Sequence, residues 1–263
     1  MVEPVANNAN RAGGRPSPIL QGKSPAARQL AARLRELDKT QWWSAEEIAA
    51  LQFRLARTVF RHAYRTVPFY RRSFDAVGIR PDTLRPETWS QVPILTRSDL
   101  QDHDLLSQAI PADHGSIFET KTSGSTGQPV RVKATGLTNF FWRVFTMRDH
   151  LWHNRNFAGT LASIRVFDSE LPEEGRIFPD WGEPANLFFR TGPAAALQIR
   201  TDIDYQLAWL QRISPELLLT YPSNLMALLV RSSELDIRLP SLREVRTVGE
   251  TVSGHLRDHC RAT

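Results

Sequence analysis

Apolar residues recur at helical spacing through the first third of the chain, beyond a polar N-terminal tail. This spacing predicts a helix over 26–37, which contains Leu30, Leu34 and Leu37. A second helix is predicted after Ser44, with an apolar stripe formed by Ile48, Leu51, Leu55 and Val59. The segment 67–79 predicts a third helix, and the run from Thr96 to Asp99 resembles a capping box that starts a fourth. The front portion of the chain is therefore predicted to be mainly helical.

The period of the apolar pattern changes after His114. Short strand-like runs at 117–121 and 130–134 flank a turn rich in Ser, Thr and Gly, which predicts two strands joined by a polar loop. Further along, the pattern predicts strands and helices in alternation: strands at 160–167, 217–220 and 242–248, and helices at 137–153, 202–213, 222–235 and from 253 onward. This order predicts an α/β fold with a mostly parallel sheet behind the helical front.

Residues 1–27 precede this pattern and show no hydrophobic period. They are rich in Asn, Ala, Gly, Pro and Ser, and they carry Arg11, Arg15 and Lys23 against Glu3 alone. This composition is typical of a disordered tail. A short basic segment is also compatible with an organelle transit segment or a nucleic-acid-binding arm.

Composition excludes several classes of protein. The chain has 263 residues, of which 41% are apolar, and its one cysteine, Cys260, allows no intrachain disulfide. No stretch approaches the roughly 18 apolar residues of a membrane span, and the N-terminus lacks the apolar centre of a secretory signal. These features predict a soluble cytoplasmic protein with no membrane partner. The net charge of +5 supports a nucleic-acid binder only weakly, because the basic residues are dispersed among acidic ones.

The segment 122–129 carries the densest chemical signal. Its sequence, Thr-Ser-Gly-Ser-Thr-Gly-Gln-Pro, lies between two predicted strands. Gly124 and Gly127 permit backbone conformations that turn successive N–H groups toward an anion, and the neighbouring hydroxyls add donors without bulk. The segment is therefore a candidate phosphate-binding loop, although it lacks the Gly-Lys-Ser/Thr ending of nucleoside triphosphatase loops. An exposed hairpin loop without a ligand has the same composition, and the residues alone leave both interpretations open.

Four segments in order carry a resemblance to a known family. The run 122–129 resembles the signature phosphate loop of the adenylate-forming superfamily, which includes acyl-CoA ligases, luciferases and peptide-synthetase adenylation domains. Segments within 68–100, 214–225 and 239–251 are similar to phenylacetate-CoA ligase-like and capsular-polysaccharide CapK-like proteins. The likeness covers about residues 42–263.

The resemblance implies a two-step reaction. A carboxylate of a small molecule attacks the α-phosphate of ATP, with Mg²⁺ as cofactor, and pyrophosphate leaves. The resulting acyl-adenylate then passes to a thiol, either that of coenzyme A or that of a carrier protein. Neither a nucleic acid nor a membrane is implied as a partner.

The same resemblance assigns roles to individual residues. The β- and γ-phosphates of ATP would be held by Ser123, Gly124, Ser125, Thr126 and Gly127, with Thr126 also near magnesium. Gly249 and Glu250 would lie beside the adenine and acyl pockets, and the acyl group would be contacted by Tyr221, Pro222 and Ser223. Two structural alternatives stand beside these roles: Glu250 could only charge the first turn of the next helix, and Tyr221 could only belong to the core.

The chain departs from the family pattern most clearly at its end. Thr263 follows shortly after Gly249, whereas the family pattern continues with a magnesium-binding motif, a ribose-binding acid and a small C-terminal domain that carries the catalytic lysine. No lysine follows Lys133. The resemblance therefore implies an incomplete adenylation domain, with a helical front at 28–114 and a nucleotide-binding α/β part at 115–263, impaired as an enzyme by itself. The alternative is a non-catalytic module that binds a nucleotide or a partner.

The last predicted helix carries possible metal ligands. His255 and His259 are four positions apart and next to Cys260, so both imidazoles could face one metal ion. Two aligned ligands do not make a site, and no metal site is predicted. By resemblance, Cys260 could belong to a zinc site whose other ligands lie further along the family sequences; a solvated helix end is the alternative.

The helix predicted over 137–153 is rich in aromatic residues. They form a stripe, which is expected to pack in the core rather than line an acyl pocket: Phe141, Trp142, Phe145 and Trp152. His150 and His153 are predicted to be ordinary polar positions on this helix.

Overall fold

The computed structural model describes residues 24–102, 110–121, 130–167 and 170–262. The candidate phosphate loop at 122–129 and most of the predicted tail lie outside these residues. The chain forms two compact units. We call residues 29–146 the N-terminal unit, and residues 147–262 with 24–28 the sheet unit.

The helices predicted for the front of the chain are confirmed. They are α1 (Pro25–Thr40), α2 (Ala45–Thr66), α3 (Pro68–Ala76) and α4 (Arg97–Asp102), with 3₁₀ turns at Pro86–Gln91 and Ala112–His114. The capping box before α4 is present, because the Thr96 N–H donates to Asp99 Oδ2 (2.8 Å) and the Asp99 N–H donates to Thr96 Oγ1 (3.2 Å).

The buried face of α2 differs from the predicted stripe. Leu55 and Val59 are 56% and 68% exposed, whereas Phe60 is buried. Phe60 stacks on Phe74 of α3 with ring centroids 4.2 Å apart, and Phe53 packs against the same cluster. Helix α2 therefore has a second apolar stripe, which contains Phe53 and Phe60. This stripe faces the core because its aromatic side chains bury more apolar surface than the aliphatic ones do.

The two strands that flank the candidate phosphate loop are confirmed. Strands β1 (Ile117–Lys121) and β2 (Arg131–Thr135) pair antiparallel in a two-stranded sheet of the N-terminal unit. Their register places Lys121 opposite Arg131 at the end that adjoins the loop. The ends of the loop are therefore held beside each other by the ladder.

Helix α5 (Gly136–Trp152) corrects two expectations. Its aromatic stripe is not in the core, because Trp142, Phe145 and Trp152 are 73%, 51% and 56% exposed. Val144 and Met147, three positions apart, form the fully buried face instead. The prediction that His150 is an ordinary polar position is also wrong, because only 7% of this residue is exposed.

The sheet unit contains the predicted parallel sheet. Its strand order is β4-β5-β3-β6-β7, and only β4 runs antiparallel. The strands are β3 (Leu161–Arg165), β4 (Arg176–Phe178), β5 (Ala194–Gln198), β6 (Leu217–Thr220) and β7 (Glu244–Thr247). Helices α6 (Ile203–Ile213), α7 (Pro222–Glu234) and α8 (Gly254–Ala262) follow β5, β6 and β7 respectively. The sequence patterns did not predict β4 and β5.

Strand register builds the core on one face of this sheet. Ala162 lies opposite both Ala195 and Leu218, and Ile164 lies opposite Leu197. These side chains share one cluster with residues from α6 and α7, namely Leu207, Trp209, Leu210 and Leu228. Both helices therefore cover the same face, and the strand ends of β5, β6 and β7 are held at one edge.

A buried arginine lies on the other side of β7. Only 4% of the Arg155 side chain is exposed, and it forms ion pairs with Asp149 at the end of α5 and with Glu244 in β7. Glu244 and Val245 alternate along the strand, so the ion pair is on the face opposite to the apolar cluster. None of the described helices is long and apolar enough to cross a membrane.

Candidate functional site

The carboxyl ends of β6 and β7 bring together the two segments singled out by sequence. Strand β6 ends at Thr220 and is followed at once by Tyr221, while β7 ends at Thr247, shortly before Gly249. Thr220 lies opposite Thr247 in the parallel register. The segments that follow therefore leave the sheet side by side, at the edge where open α/β sheets bind ligands.

Glu250 and Ser223 form the direct link between the two segments. The Ser223 backbone N–H donates to Glu250 Oε2 and the Ser223 hydroxyl donates to Glu250 Oε1, each over 2.8 Å. Both residues are exposed. Glu250 lies four residues before the start of α8, and its carboxylate instead accepts a backbone hydrogen bond from the first turn of α7.

Tyr221 packs on Gly249. The backbone of Gly249 has a φ of +80°, and a Cβ atom added there would lie 3.0 Å from Tyr221 Cε1 and 3.1 Å from Cδ1. Glycine is required by both the left-handed backbone and the close approach of the ring. Pro222 is buried at the start of α7, so of the three predicted acyl contacts only Tyr221 and Ser223 are accessible at this edge.

A buried polar chain lies behind this edge, and sequence reasoning missed it. Asn224 Nδ2 donates to Thr220 Oγ1 (3.0 Å) and to Gln206 Oε1 (2.9 Å). Gln206 Nε2 in turn donates to the carbonyls of Ile199 (3.1 Å) and Thr201 (2.8 Å), which follow β5. Gln206 is 2% exposed and Thr220 is fully buried. The one local signal is that Gln206 shares helical spacing with the apolar residues Ile203 and Leu210 of α6.

The predicted phosphate-binding residues cannot be compared with this edge. Ser123, Gly124, Ser125, Thr126 and Gly127 all lie outside the described residues. Arg131, which begins the strand after the loop, lies 3.5 Å from Glu119 in an exposed ion pair on the hairpin. The role of the loop therefore stays a prediction.

Helix α8 holds no metal centre among the residues that the structure describes. The rings of His255 and His259 contact each other edge to face, with centroids 5.8 Å apart. Cys260 is exposed on the surface, and partial burial of its thiol raises its pKa. Within 24–102, 110–121, 130–167 and 170–262, no three His, Cys, Asp or Glu side chains are arranged to hold a metal ion. Thr126, which the resemblance places near Mg²⁺, lies outside the described residues.

A large cavity of the sheet unit lies elsewhere. It has a volume of about 1070 Å³ and lies between α7, α8 and β7, with Leu210, Leu228 and Leu256 among its walls. Tyr221, Ser223, Gly249 and Glu250 do not line it. The strand edge, rather than this cavity, carries the chemistry that the sequence motifs indicate.

Solved structures of 2-hydroxyisobutyryl-CoA ligase share this fold. 2-Hydroxyisobutyryl-CoA ligase, in an open conformation with 2-HIB-AMP and CoA, matches with a TM-score of 0.62 and 19% identity, over 84% of this chain and 52% of that chain. The same ligase in its thioesterification state matches with a TM-score of 0.57 and 21% identity, over 80% of this chain and 44% of that chain. The predicted fold class is therefore confirmed.

Sequence comparison narrows the relationship. The phenylacetate-coenzyme A ligase of Escherichia coli (strain K12) is 35% identical over 102 residues, which are 38% of this chain and 23% of that protein. The phenylacetate-coenzyme A ligase of Aromatoleum evansii is 33% identical, with the same coverage. No protein-family profile matches the chain. The chain is therefore similar in sequence to phenylacetate-CoA ligases over about 100 residues, and it spans about a quarter of the length of these curated relatives and about half of the length of the solved ligase.

Proposed function

We propose that this chain supplies the nucleotide- and acyl-binding part of an AMP-forming ligase that activates a small carboxylate. In the first step a carboxylate oxygen bonds to the α-phosphorus of ATP and the bond to pyrophosphate breaks. In the second step a thiol sulfur bonds to the acyl carbon, its proton is lost to solvent or a base, and AMP leaves. The observation that carries the proposal is the meeting of the Tyr221 and Gly249 segments at the carboxyl edge of parallel strands.

Within this proposal each segment has a role. Gly249 and Glu250 lie beside the adenine, and Tyr221 and Ser223 frame the acyl group, while the buried Pro222 starts α7 behind them. The loop residues Ser123, Gly124, Ser125, Thr126 and Gly127 hold the β- and γ-phosphates. No step is assigned to Mg²⁺, because Thr126, the residue that the resemblance places near it, lies outside the described residues.

The acceptor is coenzyme A or a carrier-protein thiol. Solved 2-hydroxyisobutyryl-CoA ligase carries both an acyl-AMP and CoA, which supports coenzyme A as the first choice. We propose a cytoplasmic location, where ATP and coenzyme A are available. That the 263-residue polypeptide alone is impaired in forming the adenylate stays a prediction.

A non-catalytic binding module is the second candidate. The exposed aromatic face of α5, with Trp142 73% and Phe145 51% exposed, favours it, because large exposed aromatic side chains mark interaction surfaces. Such a module would bind a nucleotide or a partner protein without activating a carboxylate.

The first experiment tests the loop by thermal shift with ATP. Gly124→Asp and Gly127→Asp place a negative charge where the phosphates are proposed to lie. Gly254→Asp is the matched control, since a side chain at this exposed start of α8 meets no atom within 4 Å. We expect ATP to raise the melting temperature of the wild type and the control but not of the loop variants. Equal shifts in all four proteins would refute the loop assignment.

A second experiment separates the ligase from the binding module. A phenylacetyl sulfamoyl-adenosine mimics the acyl-adenylate without reacting. A ligase site should bind it more tightly than AMP, because the acyl group adds apolar contacts. Equal affinity for the two compounds would favour the module.

A further inference from the structure

Helix α7 begins without a capping side chain of its own. Its N-cap residue is Tyr221, whose side chain makes no capping hydrogen bond, and Pro222 occupies the first helical position. The carboxylate of Glu250 takes the place of a cap, because it accepts the Ser223 N–H from another strand end. A negative charge at this position is also stabilised by the helix dipole.

Ser223 uses both of its donors in this link. Its N–H and its O–H each donate to a different oxygen of Glu250. The hydroxyl is therefore directed toward the segment that follows β7, and the carboxylate is directed toward the first turn of α7. The geometry is that of a bridge between two strand ends.

The bridge adjoins the contact between Tyr221 and Gly249. Tyr221 is two residues before Ser223, and Gly249 directly precedes Glu250. A change in the separation of Ser223 and Glu250 must therefore change how the Tyr221 ring lies on Gly249. The close approach at Gly249 leaves the ring little room to shift on that side.

The next residue of α7 is anchored in a different direction. Asn224 reaches Thr220 and Gln206, which ties the same turn to the segment after β5. The first turn of α7 is thus held at two points. If the hydrogen bonds to Glu250 are lost, the hydrogen bonds of Asn224 still anchor this turn. Only the part of the turn that faces Gly249 is then free to move.

We propose that Ser223 and Glu250 are positioning residues, which bridge the ends of β6 and β7 and hold the Tyr221–Gly249 contact in one arrangement before any ligand binds. The ligand in this inference is the one given by the proposed function, on which that part of the inference rests. The bridge itself does not depend on the proposed function. It changes the roles given to both residues from ligand contact to support of Tyr221 and Gly249.

The test follows the ring of Tyr221 by NMR in the full chain labelled with ring-¹³C tyrosine. The chain has four tyrosines, and Tyr221→Phe assigns the signal. Glu250→Ala removes both hydrogen bonds of the bridge, Ser223→Ala removes the hydroxyl bond and keeps the backbone bond, and Ser223→Thr keeps both donors. Asp204→Asn is the control, because it removes an Arg231 pair elsewhere on α7. AMP affinity is measured on the same proteins.

We expect Glu250→Ala to shift the Tyr221 signals without ligand and Ser223→Ala to shift them less, while Ser223→Thr and Asp204→Asn resemble the wild type. AMP binding should weaken roughly threefold to tenfold in Glu250→Ala and less in Ser223→Ala. The double variant of Ser223→Ala and Glu250→Ala should bind AMP as Glu250→Ala does, because Glu250→Ala already removes both hydrogen bonds. Unchanged Tyr221 signals in Ser223→Ala and Glu250→Ala would overturn the proposal. If the wild type fails to bind AMP, the proposed function fails, while the ligand-free signals still decide the bridge.

Discussion

Arg155 donates two hydrogen bonds to a single oxygen of Glu244. Nε lies 2.9 Å and Nη2 lies 2.6 Å from Glu244 Oε1, although the two residues are 89 positions apart. The remaining nitrogen, Nη1, donates to Asp149 Oδ2 over 2.5 Å. Arg155 therefore joins the end of α5 to strand β7, because Asp149 and Glu244 both accept hydrogen bonds from its guanidinium group.

Replacing Arg155 with methionine should destabilise the protein strongly. Methionine keeps an apolar stem of similar length but removes the guanidinium from two partly buried carboxylates, Glu244 and Asp149, of which Asp149 keeps a longer contact with Arg246 (3.4 Å). We expect the free energy of unfolding to fall by about 3 kcal/mol, measured by urea denaturation. Arg231→Met is the control, since Arg231 pairs with exposed acids and should matter little. A similar loss of unfolding free energy in both variants would show that the Arg155 ion pairs stabilise the protein no more than the exposed pairs of Arg231 do.

Stability should fall as the pH drops from 6.5 to 4. Burial, followed by the positive charges of Arg155 and Arg246, lowers the pKa of His150 to about 4. In the unfolded chain this group has a pKa of about 6.5, so between these values the unfolded state binds the proton and the folded state does not. The free energy of unfolding should therefore lose up to about 3 kcal/mol across this range and no more from this group below pH 4.

The variants His150→Asn and His153→Asn test the source of this pH dependence. Asparagine at 150 keeps an oxygen that can accept the hydrogen bond from Arg155 Nη1, which lies 3.0 Å from His150 Nδ1. Urea denaturation between pH 7.5 and 4.5 should show a flatter profile for His150→Asn only, because the imidazole of His153 is exposed. Asp149, whose pKa is raised by burial but lowered more by its bond to Arg155 and nearby arginines, keeps its stabilising charge to lower pH. Profiles of equal slope for His150→Asn and the wild type would contradict this assignment.

Alanine should be poorly tolerated at Gly249 and well tolerated at Gly254. At Gly249 the new Cβ meets the Tyr221 ring at 3.0 Å and the φ of +80° is strained, which should cost about 1 to 3 kcal/mol of stability. At Gly254 no atom lies within 4 Å, so Gly254→Ala should be neutral or slightly stabilising. Thermal unfolding measures both, and equal melting temperatures would mean that the Tyr221 contact relaxes without cost.

Local signals were sufficient for several elements of the sheet unit. Strand β6 was predicted at its observed bounds, because three leucines in a row are flanked by Pro215 and Pro222. Helix α6 was predicted to start at Asp202, and this residue is its N-cap, where its side chain accepts the Asp204 N–H over 2.8 Å. Capping residues and prolines act within a few residues, so sequence alone shows them.

Strand β5 was missed because its residues favour another structure in isolation. Its sequence, Ala-Ala-Ala-Leu-Gln, is helix-forming by propensity. It is a strand because it pairs with β3 on one side and β4 on the other, and Ala195 lies in the cluster that contains Trp209. Tertiary pairing outweighs propensity here, and no local pattern announces it.

The location of the candidate site could be predicted from the sequence, but the hydrogen bonds between its residues could not. Tyr221 and Gly249 were expected beside the same acyl group because both segments resemble motifs of the adenylate-forming family. The bonds from Ser223 to Glu250 join residues 27 positions apart, and the exposure of Trp142 depends on which face of α5 is covered. Such long-range pairings follow from packing, which the order of residues does not reveal.

Replacing Gln206, which is 2% exposed, should lower the stability of the protein. Its amide satisfies the buried carbonyls of Ile199 and Thr201 and accepts a hydrogen bond from Asn224, so Gln206→Leu leaves these polar groups without a partner. We expect a loss of about 2 kcal/mol in urea denaturation. Gln211→Leu, on the exposed side of the same helix, should change stability by less than about 0.5 kcal/mol. If Gln206→Leu were as stable as the Gln211 variant, the buried groups would have to find water, and the polar chain behind the strand edge would not be what holds the first turn of α7.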